Sequence, residues 1–175
     1  MRELEIDGVI RDISHLDPFV CIAKGKGRDG ADLRVEVLLS LHTISQSCEN
    51  GERDLLDENG KSRSFCEDRY AFSLGLRELA SRMIDQNYFC WKSPDRNRVM
   101  NYALVDVAPG RILALPPGEH HVVFFYLYPL AADHADVQLN VTSCYPREVK
   151  IDPRDRRYNM HMLLRKCLFE QKRIP

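Results

Sequence analysis

The stretch that most constrains this chain is "HVVFFYLYPLAA", residues 121–132, which carries no Asp, Glu, Lys or Arg. A helix needs about 20 apolar residues to span a bilayer, so the run is too short for that role and no membrane partner is expected. Its β-branched and aromatic residues predict a strand at the centre of a sheet. "AADHAD" then turns the chain into "VQLNVTSCY", where Val137, Leu139 and Val141 alternate with Gln138, Asn140 and Thr142. Alternation with period two places one set on a core and the other on a wet face.

The same alternation recurs earlier. "PFVCIAK" and "LRVEVLLSL" flank the turn-rich "GKGRDGAD" and predict a hairpin. At the end of its second strand His42 falls on the wetter face with Arg34 and Glu36. Residues 46–68 lack a clear period and read as a long loop with seven acids and three bases over 49–68. "SLGLRELASRMIDQN" predicts a helix capped by Ser73, with Leu76, Leu79, Ala80 and Met83 as its buried stripe. "VMNYALVDV" and "RILAL" follow as strands. The C-terminal "YNMHMLLRKCLFEQK" fits both periods and is expected as a strand continuing the meander. The fold class is therefore α+β: an antiparallel sheet of about five to seven strands with one main helix packed against it. One domain is expected over 1–175, comprising a hairpin region (1–45), the acidic loop (46–68) and the helix plus sheet (69–175).

The formal charge of −1 excludes a broadly basic nucleic-acid binder, but residues 146–175 hold nine bases against four acids, a tail able to meet phosphates. The charged first fifteen residues do not resemble a secretion signal, so a cytoplasmic protein with reduced cysteines is expected.

Few motifs carry chemistry. His42, Cys48, Cys66 and Cys90 are zinc-type ligands, but their spacings of five, seventeen and twenty-three residues lack the paired signature of a structural site, and no metal or other cofactor is expected. There is no G-x-S-x-G, and "GKGRDG" sits in a hairpin rather than before a helix. What remains is metal-independent acid/base chemistry of the kind that cleaves RNA: a base for the 2′-hydroxyl, an acid for the leaving oxygen and cations for the phosphorane. Candidates at strand ends include His42, Asn101, His121, Tyr126, Ser143, Tyr145 and Arg147, with His161, Arg165 and Lys166 in the basic tail.

The order "HVVFFYLYPL", "ADVQLNVTSCYPR", "RRYNMHMLLRK", with Ser143, Tyr145 and Arg147 as an S-x-Y-x-R set, resembles the barnase and colicin-nuclease class of small toxin ribonucleases. The resemblance covers roughly residues 99 to 170. It implies RNA cleavage and a neutralising partner protein. The opening hairpin and the acidic loop lie outside that pattern. The clustering of candidate groups at strand ends beside the basic tail assigns the roles: His42 or His121 as base, Arg147 and Lys166 as phosphate clamp, Ser143 and Tyr145 as donors, and Arg165, Lys166 and His161 beside the substrate. A different reading is a non-catalytic phage or mobile-element protein that inhibits a host complex, its acidic loop mimicking a nucleic-acid backbone.

Overall fold

A computed structural model of the chain describes residues 2–48, 54–92, 101–105, 119–149 and 156–175. Two strands, β1 (Glu3–Ile6) and β2 (Val9–Asp12), form an N-terminal hairpin around Asp7 and Gly8, both at positive φ. That geometry is what an Asp-Gly pair supplies in a two-residue turn. The expected hairpin follows as β3 (Phe19–Ala23) and β4 (Leu33–Leu39). The remaining elements are β5 (Ser45–Ser47), β6 (Leu55–Leu56), β7 (Ser62–Phe65), α1 (Glu67–Ser73), α2 (Leu76–Asp85), β8 (Phe89–Lys92), β9 (Asn101–Val105), β10 (Glu119–Ala132), β11 (Ala135–Glu148), β12 (Tyr158–Asn159) and α3 (Met160–Glu170).

Seven strands make the main sheet in the order β12-β8-β9-β10-β11-β4-β3, with β10 at its centre. All neighbours are antiparallel except β11 and β4, which run parallel. One face is the core. Leu33, Val35 and Val37 of β4, Val123, Phe125 and Leu127 of β10, and Val137, Leu139 and Val141 of β11 are buried there. Leu76, Leu79, Ala80, Met83 and Ile84 of α2 and Met160, Leu163, Leu164, Cys167 and Leu168 of α3 cover them. Each large aliphatic side chain so buried contributes roughly 1.5–3 kcal/mol. The helices thus occupy one side of the sheet, and the residues between the core positions face the other.

Three local expectations are corrected. The C-terminal segment is a helix, not a strand: Asn159 caps it by accepting the Met162 amide at 2.9 Å, and its buried residues recur at helical spacing. Ser73 does not cap the main helix; it ends α1, donating its hydroxyl to the Tyr70 carbonyl, and α2 starts after Gly75. The stretch 46–68 is no open loop. Its described part folds as a three-stranded sheet, β5-β7-β6, running into α1. Residues 99–100, 106–107 and "RILAL", read as strand from sequence, lie outside the described residues.

Candidate functional site

β4 ends at Leu39, and the Ser40 amide makes one more rung to the Val141 carbonyl of β11 at 3.0 Å. The chain then tightens into a 3-10 turn over Leu41–Thr43, with the Ser40 hydroxyl oxygen accepting the His42 amide. His42 therefore stands on a capped turn at the mouth of the sheet rather than on the strand itself. Opposite it, β10 and β11 shift register between Phe124 and Phe125: Phe124 pairs with Ser143, Phe125 with Val141, and Thr142 is the extra residue. A bulge re-aims side chains and is frequent beside functional sites. Here Thr142 and Ser143 both line a cleft of about 510 Å³ on the face of the sheet away from α2 and α3, with Tyr126 and Tyr145 completing its floor. The small sheet supplies the wall, through Asp57, Lys61 and Arg63, and α1 adds Arg69.

His42 and Asp57 form the first unit of this cleft. His42 Nε2 lies 2.9 Å from Asp57 Oδ2, while Asp57 Oδ1 accepts the amides of Asn59 and Lys61, each at 2.9 Å. The Asp57 side chain is 1% exposed and that of His42 28%. The Lys61 amide and His42 together hold the Asp57 carboxyl down at about 2. An ionised carboxylate only accepts hydrogen bonds, so Nε2 carries a proton, and the lone pair of the neutral imidazole is on Nδ1. Among the described residues nothing bonds to Nδ1, and the ring is partly open to the cleft. A carboxylate that orients a histidine in this way prepares it to take up a proton.

Cations form the second unit. Arg63 Nε donates to the Ser45 hydroxyl at 3.0 Å and its terminal nitrogen to the Ser45 carbonyl at 3.2 Å. Arg69 donates to that same carbonyl and, at 3.2 Å, to the His42 carbonyl. Its guanidinium lies 4.8 Å from the Tyr145 ring centroid. Burial and the neighbouring Arg69 charge pull the Arg63 guanidinium below its ordinary pKa. Among the described residues no carboxylate lies within ion-pair distance of either arginine or of Lys61. Asp57, the one acid among the described lining residues, is committed to His42. The cleft is a cationic hollow with hydroxyl donors and one oriented imidazole, a set suited to a phosphate group.

Of the residues singled out from sequence, His42, Tyr126, Ser143 and Tyr145 meet here. His121 does not. It follows the core alternation with Val123 and Phe125, is 3% exposed, and stacks on Phe72 of α1 with ring centroids 4.3 Å apart. Neither of its ring nitrogens has a partner among the described residues, and burial lowers its pKa. Arg147 is exposed further along β11, paired in register with His120 and outside the cleft lining. His161, Arg165 and Lys166 belong to α3, whose buried face packs on the opposite side of the sheet; His161 Nε2 donates to the Ile84 carbonyl at 2.6 Å. Asn101 is buried and donates to the Ile174 carbonyl.

Asp57, Lys61, Arg63 and Arg69 were not anticipated. The signal was present in "DENGKSR": an Asn-Gly turn followed by bases two residues apart, which share one face of a strand. The acids of this region are mostly spent internally. Asp54 accepts the Phe65 amide, Glu58 accepts the Ser40 hydroxyl and Leu41 amide, and Glu67 pairs with Arg11. No group of three or more His, Cys, Asp or Glu side chains arranged to hold a metal occurs among the described residues, and Cys90 is buried in the core. No described helix is long and apolar enough to cross a membrane.

Comparison with known proteins adds one assignment. No curated protein and no solved structure gives a significant match. A family model matches residues 3–168, nearly the whole chain, and the protein belongs to the YjaZ family.

Proposed function

We propose that the protein is a metal-independent ribonuclease of toxin type, acting at the cleft between the main sheet and the small one. The observation that carries this reading is the meeting of His42, oriented by Asp57, with Arg63, Arg69, Ser143 and Tyr145 in one hollow. His42 Nδ1 takes the proton of an RNA 2′-hydroxyl. The 2′-oxygen attacks the adjacent phosphorus, and the bond from phosphorus to the 5′-oxygen breaks. The products are a 2′,3′-cyclic phosphate and a free 5′-hydroxyl. Arg63, Arg69 and Lys61 neutralise the phosphorane, replacing Arg147 and Lys166 as the phosphate clamp. Ser143 donates to a non-bridging oxygen, and the Tyr145 hydroxyl protonates the departing 5′-oxygen. Such preorganised charge stabilisation is commonly the largest single catalytic contribution.

The rival use of residues 49–68 as a nucleic-acid mimic has less support, because Asp54, Asp57, Glu58 and Glu67 already bond within the fold. Purified protein incubated with bulk RNA in EDTA is expected to leave cyclic phosphate ends, and His42→Ala to abolish them. RNA that stays intact at high protein concentration refutes the reading. A cytoplasmic setting and a neutralising protein partner belong to the same proposal. Co-expression of a candidate partner should restore growth to cells producing the protein.

A further inference from the structure

A second hollow of about 520 Å³ adjoins the cationic cleft and takes no part in the cleavage chemistry above. The two share His42, Asn59 and Thr142, so they form one continuous groove over the open face of the sheet. The lining changes character along it. Where the cleft has three cations, the second hollow has one charge of each sign, Arg2 and Glu58, and otherwise presents Pro18, Leu38 and Leu41 together with the Tyr128 ring and the Asn140 amide. Strand register puts these side by side: Asn140 stands opposite Tyr126 on β10 and beside Leu38 on β4, one rung-pair away from Tyr128. Arg173 adds a cation 4.0 Å from the Tyr126 centroid and 5.6 Å from that of Tyr128.

A ligand matching both halves of the groove has an anionic end and, joined to it, a flat apolar body with a polar edge. Nucleotides have that form, and sheet faces that bind single strands pair aromatic rings for the bases with cations for the backbone. We infer that the second hollow is a nucleobase subsite, holding the base attached to the phosphate seated at Arg63 and Arg69. The Tyr128 ring lies against the base and the Asn140 amide meets its edge. This rests on the ribonuclease reading for where the phosphate sits, but it is a statement about binding and is tested without cleavage.

Calorimetric titration of the intact protein with inorganic phosphate and with the four ribonucleoside 3′-monophosphates tests it. At least one nucleotide should bind about tenfold or more tighter than phosphate. Tyr128→Leu should remove roughly fivefold to a hundredfold of the nucleotide affinity, the range one stacked ring carries, while phosphate affinity stays unchanged. Tyr128→Phe should keep it, and Arg69→Ala should weaken both ligands. Asn140→Ala, which leaves the ring in place, should flatten the preference among the four bases and serves as the second variant if Tyr128→Leu fails to fold. Nucleotides that bind no tighter than phosphate, or variants at both positions that leave nucleotide binding intact, overturn the subsite. Nucleotides bound in the expected pattern by a protein that leaves RNA whole would uphold the subsite and refute the cleavage reading alone.

Discussion

Arg63 and Arg69 reach the same acceptor, the main-chain carbonyl of Ser45, one from a strand of the small sheet and the other from α1. Two like charges are held together by a neutral group, and among the described residues no carboxylate lies within ion-pair distance of either, Asp57 and Glu58 acting on Arg63 only from further off. Such an arrangement stores repulsion that an incoming anion relieves. Arg69→Ala should therefore lower the single-turnover rate of RNA cleavage by roughly 10²–10³, the cost of removing one preorganised donor to a developing charge. Arg63→Ala should fall in the same range, and cleavage by the intact protein should weaken as salt rises. Initial rates at stepped salt concentrations check both expectations.

Asp57 bonds to His42 Nε2 and so fixes the proton on that nitrogen. Asp57→Asn keeps the shape but lets Nε2 accept rather than donate, so cleavage should drop by roughly 10²–10⁴ with little change in KM. Its carboxyl also links to stability. The folded value of about 2 is below the ordinary 3.8, so its contribution is full above the ordinary value and is lost as pH falls towards 2. Denaturation midpoints between pH 5 and pH 2 should fall less steeply for Asp57→Asn than for the unaltered protein.

His121 should prove structural. Burial disfavours its charged form, so the unfolded chain binds the proton more readily than the folded one. Its contribution is then complete above about 6.5 and is lost as pH falls below that value. His121→Phe, which can keep the stack on Phe72, should flatten the stability profile between pH 7 and pH 5. It should leave RNA cleavage within about twofold. A large loss of kcat in this variant would restore His121 to the catalytic set.

The C-terminal helix makes a sharp mutational contrast. In a strand Met162 and Leu164 would share a face, whereas in α3 Met162 is 40% exposed and Leu164 is fully buried. Leu164→Ala should cost about 2–5 kcal/mol in denaturant unfolding, and Met162→Ala about 0.5 kcal/mol or less.

How far the sequence could be read depended on the range of the forces involved. β4, β10 and β11 were legible because Leu33, Val35 and Val37, and their counterparts in β11, alternate under one local rule. Period two put His42 on the wetter face, but it would leave Ser143 and Tyr145 on the core face with Val137, Leu139 and Val141; the bulge at Thr142 turns them onto the open one. Nor could the convergence of the three be read, because it depends on the parallel pairing of β4 with β11, distant in sequence. The small sheet was missed because its strands run two to four residues and carry serines rather than β-branched residues. The α3 segment was ambiguous because Met160, Leu164, Cys167 and Leu168 satisfy the helical period while Met160, Met162 and Leu164 satisfy the strand period. The Asn159 cap, one residue upstream, was the discriminating sign.

The rung between Ser40 and Val141 joins the turn that bears His42 to the bulge that bears Thr142 and Ser143. Its two halves are synthesised far apart in time, and contacts between distant segments form late in folding. A nascent chain that has not yet released β11 has a histidine but no floor beneath it. If the cleft is the cutting centre of a toxin, the ribosome that makes it is shielded by topology, since the weapon is armed only as the last third of the chain emerges.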